Sequence, residues 1–433
     1  MGCATSAYAV VGRKNKKRII QESVVFVLQF RVPVQSDLQR QLKGVAPKAT
    51  VDRLTCLRNQ IQLVAEDTGG SAIPELRSAL EEYLSLLTGL VKKKNDGMEG
   101  CVEFKWKTLG DGRRAEICFT NLWMEMLTVI HMMAALALTE ANSLMIPKDC
   151  SGSGNGVRVV STDCRRDAVD LLLKASGYLE FCVREILARF PPEIKTKLPD
   201  DMQESVMQSL SIEALGQGTE IQLGLAVDSQ KATLSVKRRL ACEQVIYFTQ
   251  AYHCLSDCES VSHGCAKKLL RFIYWKFLEA KAAAYYYHGL VTDKGTEPSC
   301  HVIAVCCFLA AAEILGESKK ACFSFSLAPP VTRPPPMWGV MKHLSQKIPE
   351  VAFRKSQTYG YLLEEEEKAM QCLPELPNFQ LSLRPDEFEL PEMEDVSSAG
   401  NQTHLLKEHL DNSSEIHDDD DDYDDDDGYD LDR

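Results

Sequence analysis

The sequence predicts a mainly α-helical protein: a helical solenoid with a small N-terminal β-sheet and a disordered acidic C-terminal tail. Three observations indicate this fold class. Apolar residues recur at intervals of three and four through most of the chain, which is the period of a helix that buries one face. Short segments with alternating apolar residues occur near the start. Aspartate and glutamate dominate the last part of the chain, which excludes a packed core there.

The helical pattern begins with an apolar stripe from Leu76 to Leu87, and Pro74 is tolerated in its first turn. Most later stripes are long, and several are apolar on two sides, which is typical of helices that lie between neighbours. We find no fixed 34-residue period, so any repeats are degenerate. The other predicted helical segments are Phe119–Ala141, Ala168–Ile186, Val206–Leu215, Ile221–Val227, Val236–Leu255, Leu269–Leu290, His301–Leu315 and Trp338–Ala352.

Three β-strands are predicted near the N-terminus. Ser23–Phe30 is rich in apolar and β-branched residues. Apolar residues alternate with polar ones from Val102 to Trp106, and Ala115–Phe119 returns after a glycine-containing turn. These strands predict a small sheet beside the helices.

Charge divides the chain unevenly. The net charge is −13, but residues 386–433 alone carry −18, which leaves residues 1–385 at +5. We predict a lipidated basic segment at 1–19, a helical domain at 20–375 and a disordered acidic tail at 376–433. Ser151–Gly156 (SGSGNG) is predicted to be a flexible connection within the domain.

The first residues fit an acylation signal. Gly2 follows the initiator Met and Ser6 stands at the sixth position, which is the pattern for myristoylation. One myristoyl chain binds membranes only marginally, so a second element is needed. Palmitoylation of Cys3 and attraction of the basic cluster Arg13–Arg18 to anionic lipids are the two candidates. We therefore expect a lipoprotein in the cytosol and on the cytoplasmic face of a membrane.

The sixteen cysteines are scattered through apolar helical stretches, and no secretory signal peptide is evident. Reduced thiols in the cytosol fit this pattern better than a disulfide framework. The longest apolar runs are shorter than the ~20 residues that cross a bilayer, so we expect no membrane-spanning helix.

One cluster of cysteines and histidines has the residue types of a metal site or a catalytic centre. Its spacing lacks the paired Cys-x2-Cys of zinc sites, so we expect no metal and no cofactor. A cysteine-dependent enzyme using Cys254 or Cys265 with a neighbouring histidine is a minor alternative. The cluster consists of His253, Cys254, Cys258, His263 and Cys265.

Basic residues concentrate around Lys231–Arg239 and Lys267–Arg271. No interleaving of aromatic and basic residues of a nucleic-acid-binding module accompanies them, so we expect no nucleic-acid partner. A basic rim for an acidic peptide explains these residues at least as well. The acidic tail itself is one candidate, folding back onto the Lys231–Arg239 face and competing with a partner.

Several motifs in order resemble those of the BRO domain of endosomal proteins such as Alix. The sheet residues Phe104–Trp106 are followed by Ala115–Phe119, which runs into a long helix. Leu215–Glu220 is similar to the family's Leu-Ala-Gln-Ala-Gln-Glu element, and Val236–Phe248 is similar to the helix after it. The likeness covers residues 20–375.

This resemblance implies a curved, tetratricopeptide-like solenoid that binds the amphipathic C-terminal helix of an ESCRT-III subunit in an apolar groove. Carried over by position, the groove contains Leu223, Val236 and Leu240, with Lys237 and Arg239 at its rim. The chain also resembles the short, lipid-anchored members of the family.

These features predict a membrane-anchored adaptor in endosomal sorting, multivesicular-body formation and protein transport, and not an enzyme. A peptide-binding helical scaffold outside the ESCRT system is the alternative.

Overall fold

The computed structural model describes residues 22–44, 46–93, 102–109, 116–146, 160–256, 264–333, 339–365 and 373–391. Gly2, Cys3, the N-terminal basic cluster, the predicted 151–156 connection and the tail after residue 391 lie outside these ranges. Within them the chain is mainly helical with one small sheet, which confirms the predicted fold class.

The sheet is antiparallel, with strands in the order β1 (Arg31–Pro33), β2 (Phe104–Thr108) and β3 (Ile117–Phe119). The second and third strands match the prediction, but the first does not. Residues 23–30 form no strand. The backbone N–H groups of Val24 and Val25 instead donate to Asn142 Oδ1, at 2.8 and 2.9 Å. Helix side chains therefore satisfy this buried segment in place of a neighbouring strand.

The longer helices are stacked in chain order. From α4 onwards the principal helices pack mainly against those before and after them, as in a solenoid. The helices are α1 (Leu38–Gln41), α2 (Lys48–Thr68), α3 (Ile73–Lys93), α4 (Leu122–Met145), α5 (Thr162–Phe181), α6 (Pro192–Lys195), α7 (Glu204–Asp228), α8 (Leu234–Ser256), α9 (Gly264–Thr292), α10 (Pro298–Leu327) and α11 (Gly339–Glu365).

Helix α7 replaces the two short helices predicted at 206–215 and 221–227. The glycines between them indicate a break by propensity, but here they allow close packing. A Cβ on Gly216 would lie 2.8 Å from the Phe248 ring, and one on Gly218 would lie 3.0 Å from Leu383 Cδ1. Tertiary contacts thus outweigh the local preference against glycine in a helix.

Two helices have the length and apolar composition of membrane spans. Of the most apolar window, 89% is buried inside the fold in α4 and 50% in α10. The first therefore has the burial of a core helix, whereas the second leaves part of its apolar surface exposed.

Residues 373–391 form an extended segment that packs against the helices, which we call the C-terminal strap. This differs from the prediction of a disordered tail beginning at residue 376. The strap is stabilised by burial of alternate side chains and not by a helix or strand of its own. Its partly buried apolar residues are Leu376, Phe379, Phe388 and Leu390.

Candidate partner-binding surface on helix α8

The predicted groove residues Val236 and Leu240 lie on one face of α8, because residues four positions apart are neighbours on a helix. Val236 is 45% exposed, so its side chain is accessible to a partner. Leu240 is half-buried, and its inner side packs against the core. Together they form a small apolar patch on the surface.

Leu223 does not contribute to that surface. Its side chain is 1% exposed and belongs to the hydrophobic core. The position is on α7, whose burial is nearly complete up to Gly224, so a partner cannot reach Leu223 without displacing packed residues. The groove prediction is therefore wrong for this residue as a contact.

The two predicted rim cations differ in their surroundings. Lys237 is half-buried, and Arg239 is exposed. Arg239 Nε donates to Glu243 Oε1 at 2.7 Å, one turn further along α8. Glu243 is fully buried, so its charge is compensated by an arginine at the surface. Arg239 therefore has a structural role as well as its position at the rim.

The C-terminal strap lies along the same face of α8. Glu243 and Tyr247 are on this face too, because they follow Val236 by seven and eleven positions, which is close to two and three helical turns. The Ser382 N–H and hydroxyl donate to Glu243 Oε2, at 2.9 and 2.6 Å. The Leu383 N–H donates to the Tyr247 hydroxyl oxygen at 3.1 Å, and the Tyr247 hydroxyl donates to the Leu383 carbonyl at 2.7 Å. The strap therefore closes one end of the apolar surface.

Beyond α8 the strap crosses α7 and reaches α5. The Asp386 N–H donates to the Leu173 carbonyl at 3.2 Å, and Phe388 packs edge-on against Tyr178 and Phe181. A Cβ on Gly177 would lie 2.1 Å from the Asp386 carbonyl oxygen, so only glycine permits this approach.

Glu243, Tyr247 and the strap were missing from the sequence-based site. A signal for the strap exists in its alternation, because Phe379, Leu381 and Leu383 are separated by polar residues. Glu243 gave no such signal, because a glutamate on an amphipathic helix usually faces solvent.

The cysteine and histidine cluster shows no arrangement for catalysis or metal binding among its described members. Burial raises the pKa of the Cys254 and Cys265 thiols, which is the opposite of what a nucleophilic thiolate requires. In the described part of the chain, no three His, Cys, Asp or Glu residues are grouped to hold a metal ion. Cys258 and His263 lie outside it.

Solved structures of low sequence identity share this fold. An ALIX BRO1 CHMP4C complex is 16% identical and has a TM-score of 0.62. The match covers 86% of this chain and 97% of that chain. A Bro1 domain structure described as the basis for endosomal targeting is 14% identical, with a TM-score of 0.55 and coverage of 90% of this chain and 98% of that one.

ALIX in complex with the SIVmac239 PYKEVTEDL late domain is 15% identical, with a TM-score of 0.60. The match covers 90% of this chain and 54% of that chain. No curated protein sequence matches the chain. The model of the BRO1-like domain matches residues 22–414, which include the whole of the described part. The resemblance predicted from the ordered motifs is thus confirmed, and the chain belongs to the BRO1-like domain family.

Proposed function

We propose that this protein is an adaptor that binds the amphipathic C-terminal helix of an ESCRT-III subunit on the α8 surface. The observation that carries the proposal is that exposed Val236 and half-buried Leu240 lie on one helix face, beside Lys237 and Arg239. Family membership and the ALIX BRO1 CHMP4C complex support it, since CHMP4C is an ESCRT-III subunit.

The chemistry of the surface fits an amphipathic helix with an acidic flank. A bound helix would bury its apolar stripe against Val236 and Leu240, as in other helix-in-groove complexes. Arg239 and Lys237 would then face its polar side. Strap residues Ser382 and Leu383 lie further along the same face and would limit how far the partner extends.

Membrane attachment completes the proposed role. Acyl chains on Gly2 and Cys3 would hold the protein on the cytoplasmic face of endosomal or plasma membranes. Confinement of both partners to one surface raises their effective concentration, so a weak α8 contact is sufficient for endosomal sorting and multivesicular-body formation. An adaptor needs no catalytic group, and the raised pKa values of Cys254 and Cys265 fit that assignment better than a cysteine-dependent enzyme.

Binding of labelled ESCRT-III C-terminal helices, measured by fluorescence anisotropy, tests the α8 surface. Leu240→Asp places a charge in the apolar contact and should weaken binding by at least about tenfold. Tyr252→Asp is the matched control. Tyr252 lies on the same helix and is 37% exposed, but sixteen positions after Val236 it points to the other side. Equal affinities for the two variants would reject this surface.

Cell fractionation tests the anchor separately. Gly2→Ala removes the myristoylation site and should move most of the protein from the membrane to the soluble fraction. Its affinity for the free ESCRT-III helix should remain that of wild type. Retention of Gly2→Ala on membranes at the wild-type level would contradict acyl anchoring.

A peptide-binding scaffold outside the ESCRT system is the second candidate. The strap favours it, because a face built from α5, α7 and α8 already binds an extended segment of the chain itself. Pull-down with isolated ESCRT-III tail helices separates the two functions. Capture by those helices supports the first candidate, and failure with every subunit favours the second.

A further inference from the structure

Three exposed apolar side chains lie at the C-terminal end of α10: Phe323, Leu327 and Val331, which are 62%, 57% and 54% exposed. We call them the α10 patch. Phe323 and Leu327 are one helical turn apart on the same face. Lys268 Nζ donates to the Ala328 and Pro330 carbonyls, both at 2.8 Å, and so holds Val331 near the helix end.

Three basic residues lie beside the α10 patch. Lys319 and Lys320 are exposed one turn before Phe323 and on the same side of α10. Arg271 of α9 donates to the Ser324 carbonyl at 3.4 Å, which places a third positive charge at the edge of the patch. The surface thus combines exposed apolar groups with cations.

The N-terminal segment enters the described structure beside this patch. Glu22 forms an isolated parallel bridge with Arg333, two residues after Val331, and their side chains pair at 3.4 Å. Chain length alone keeps Arg18 within about 14 Å of Glu22, and Arg13 within about 32 Å. Gly2 belongs to the same segment, which joins the described structure at Glu22 on this side of the molecule.

We propose that the α10 patch, together with Lys319 and Lys320, is a membrane-contact surface that docks on an anionic lipid bilayer next to the acylated N-terminus. The inference rests on the proposed anchoring through Gly2 and deepens it. A single myristoyl chain needs a second element for stable binding. An apolar patch with cations beside it supplies both apolar contact and attraction to anionic headgroups.

The burial of α10 supports contact in the membrane plane and not insertion across the bilayer. Half of its most apolar window is buried in the fold, where α10 packs between α9 and α11. Only the exposed side of α10 is therefore available to lipid. The patch lies at the end of this helix, where side chains can reach a membrane surface without unfolding it.

Vesicle flotation of the full-length, N-myristoylated protein tests the proposal. The vesicles are phosphatidylcholine with or without phosphatidylserine. Phe323→Ser combined with Leu327→Ser should lower the partition coefficient on phosphatidylserine vesicles by at least about tenfold, because two apolar side chains no longer enter the bilayer surface. Lys319→Glu with Lys320→Glu should lower it on phosphatidylserine vesicles and leave binding to pure phosphatidylcholine unchanged.

Phe353→Ser is the matched control, since Phe353 is 69% exposed on α11. Nearby Lys355 pairs with Asp293, just before α10 begins. Because α10 has 30 residues and is about 45 Å long, Phe353 lies toward its other end. Phe353→Ser should therefore partition like wild type. A patch variant that partitions like this control would overturn the proposal.

Failure of the inference can be distinguished from failure of the anchor. If Gly2→Ala loses vesicle binding while the patch variants keep it, acyl anchoring stands and the patch proposal is rejected. If Gly2→Ala binds like wild type and the patch variants do not, the patch stands and the anchor is rejected. Binding unaffected in every variant rejects both.

Discussion

Glu125 is a buried carboxylate at the centre of a polar cluster between the sheet and the first long helices. The Tyr83 hydroxyl and the Trp106 Nε1–H donate to its two oxygens, at 2.8 and 2.7 Å, and Arg58 pairs with it. Arg58 also donates to the Lys105 carbonyl at 2.9 Å. This cluster fixes β2 against α2 and α4.

We expect Glu125→Ala to lower the free energy of unfolding by about 3–5 kcal/mol, because it leaves the Arg58 charge buried without a compensating carboxylate. Urea denaturation measures the loss. Arg53→Ala is the control, since its ion pair with Glu82 is exposed, and should cost less than about 1 kcal/mol. Similar losses in the two variants would contradict the role of the buried cluster.

His131 should make stability depend on pH. Burial lowers its pKa to about 4, although the Asp201 charge opposes that shift and the Arg31 charge adds to it. In the unfolded chain His131 is protonated as the pH falls below about 6.5, whereas in the folded protein it is protonated only near pH 4. The free energy of unfolding therefore falls as the pH falls through this window.

The loss attributable to His131 between pH 7.5 and 5 should be about 2 kcal/mol. His131→Gln removes this part of the dependence, so urea midpoints at pH 7.5 and 5 should differ less in the variant than in wild type. An equal pH dependence in both proteins would show that His131 does not titrate as its burial implies.

The strap is the element that closes one end of the candidate site. Gly177→Ala should displace it, because the new Cβ meets the Asp386 backbone at 2.1 Å. Hydrogen exchange of residues 382–388 should accelerate, and the protein should become less stable.

Gly316→Ala is the control with the opposite expected effect on stability. A Cβ on this glycine of α10 would meet nothing within 4 Å beyond its own stretch of helix backbone, so alanine there should stabilise by roughly 0.5–1 kcal/mol. Strap exchange that is unchanged in Gly177→Ala would contradict this packing.

Elements with a strong local period could be predicted from the sequence, and elements stabilised by distant contacts could not. Helices α3, α4 and α8 were predicted because their apolar stripes are continuous. The strap and residues 23–30 depend on partners far along the chain: Ser382 and Glu243 are 139 positions apart, and Val24 and Asn142 are 118. No local pattern encodes such pairings.

The same distinction applies to the candidate site. Val236 and Leu240 could be placed on a surface by helical spacing and family resemblance. Leu223 could not be separated from them, because burial from all sides depends on neighbouring helices and not on its own period. Arg239 was predicted at the rim, but its pairing with buried Glu243 required the structure.

At the scale of the whole molecule, the folded domain and the C-terminal tail differ in charge. Residues 392–433 carry a net −15, whereas the α8 surface includes Lys237 and Arg239. We predict that this tail competes with an acidic partner, so deletion of residues 392–433 should raise affinity for an ESCRT-III helix at low salt.

The truncation must begin after Pro391 so that the strap is retained. The gain in affinity should disappear at high salt, because screening weakens the attraction of the tail. Titration of the intact and shortened chains at two salt concentrations measures it. Equal affinities at low salt would reject competition by the tail.

The central claim is that a partner helix lies against Val236 and Leu240. Photo-crosslinking tests it most directly, with benzoylphenylalanine placed at position 236 in one protein and at position 252 in another. We predict that an ESCRT-III C-terminal helix crosslinks at position 236, with little product at position 252. Equal crosslinking at both positions, or product at position 252 alone, would contradict the claim.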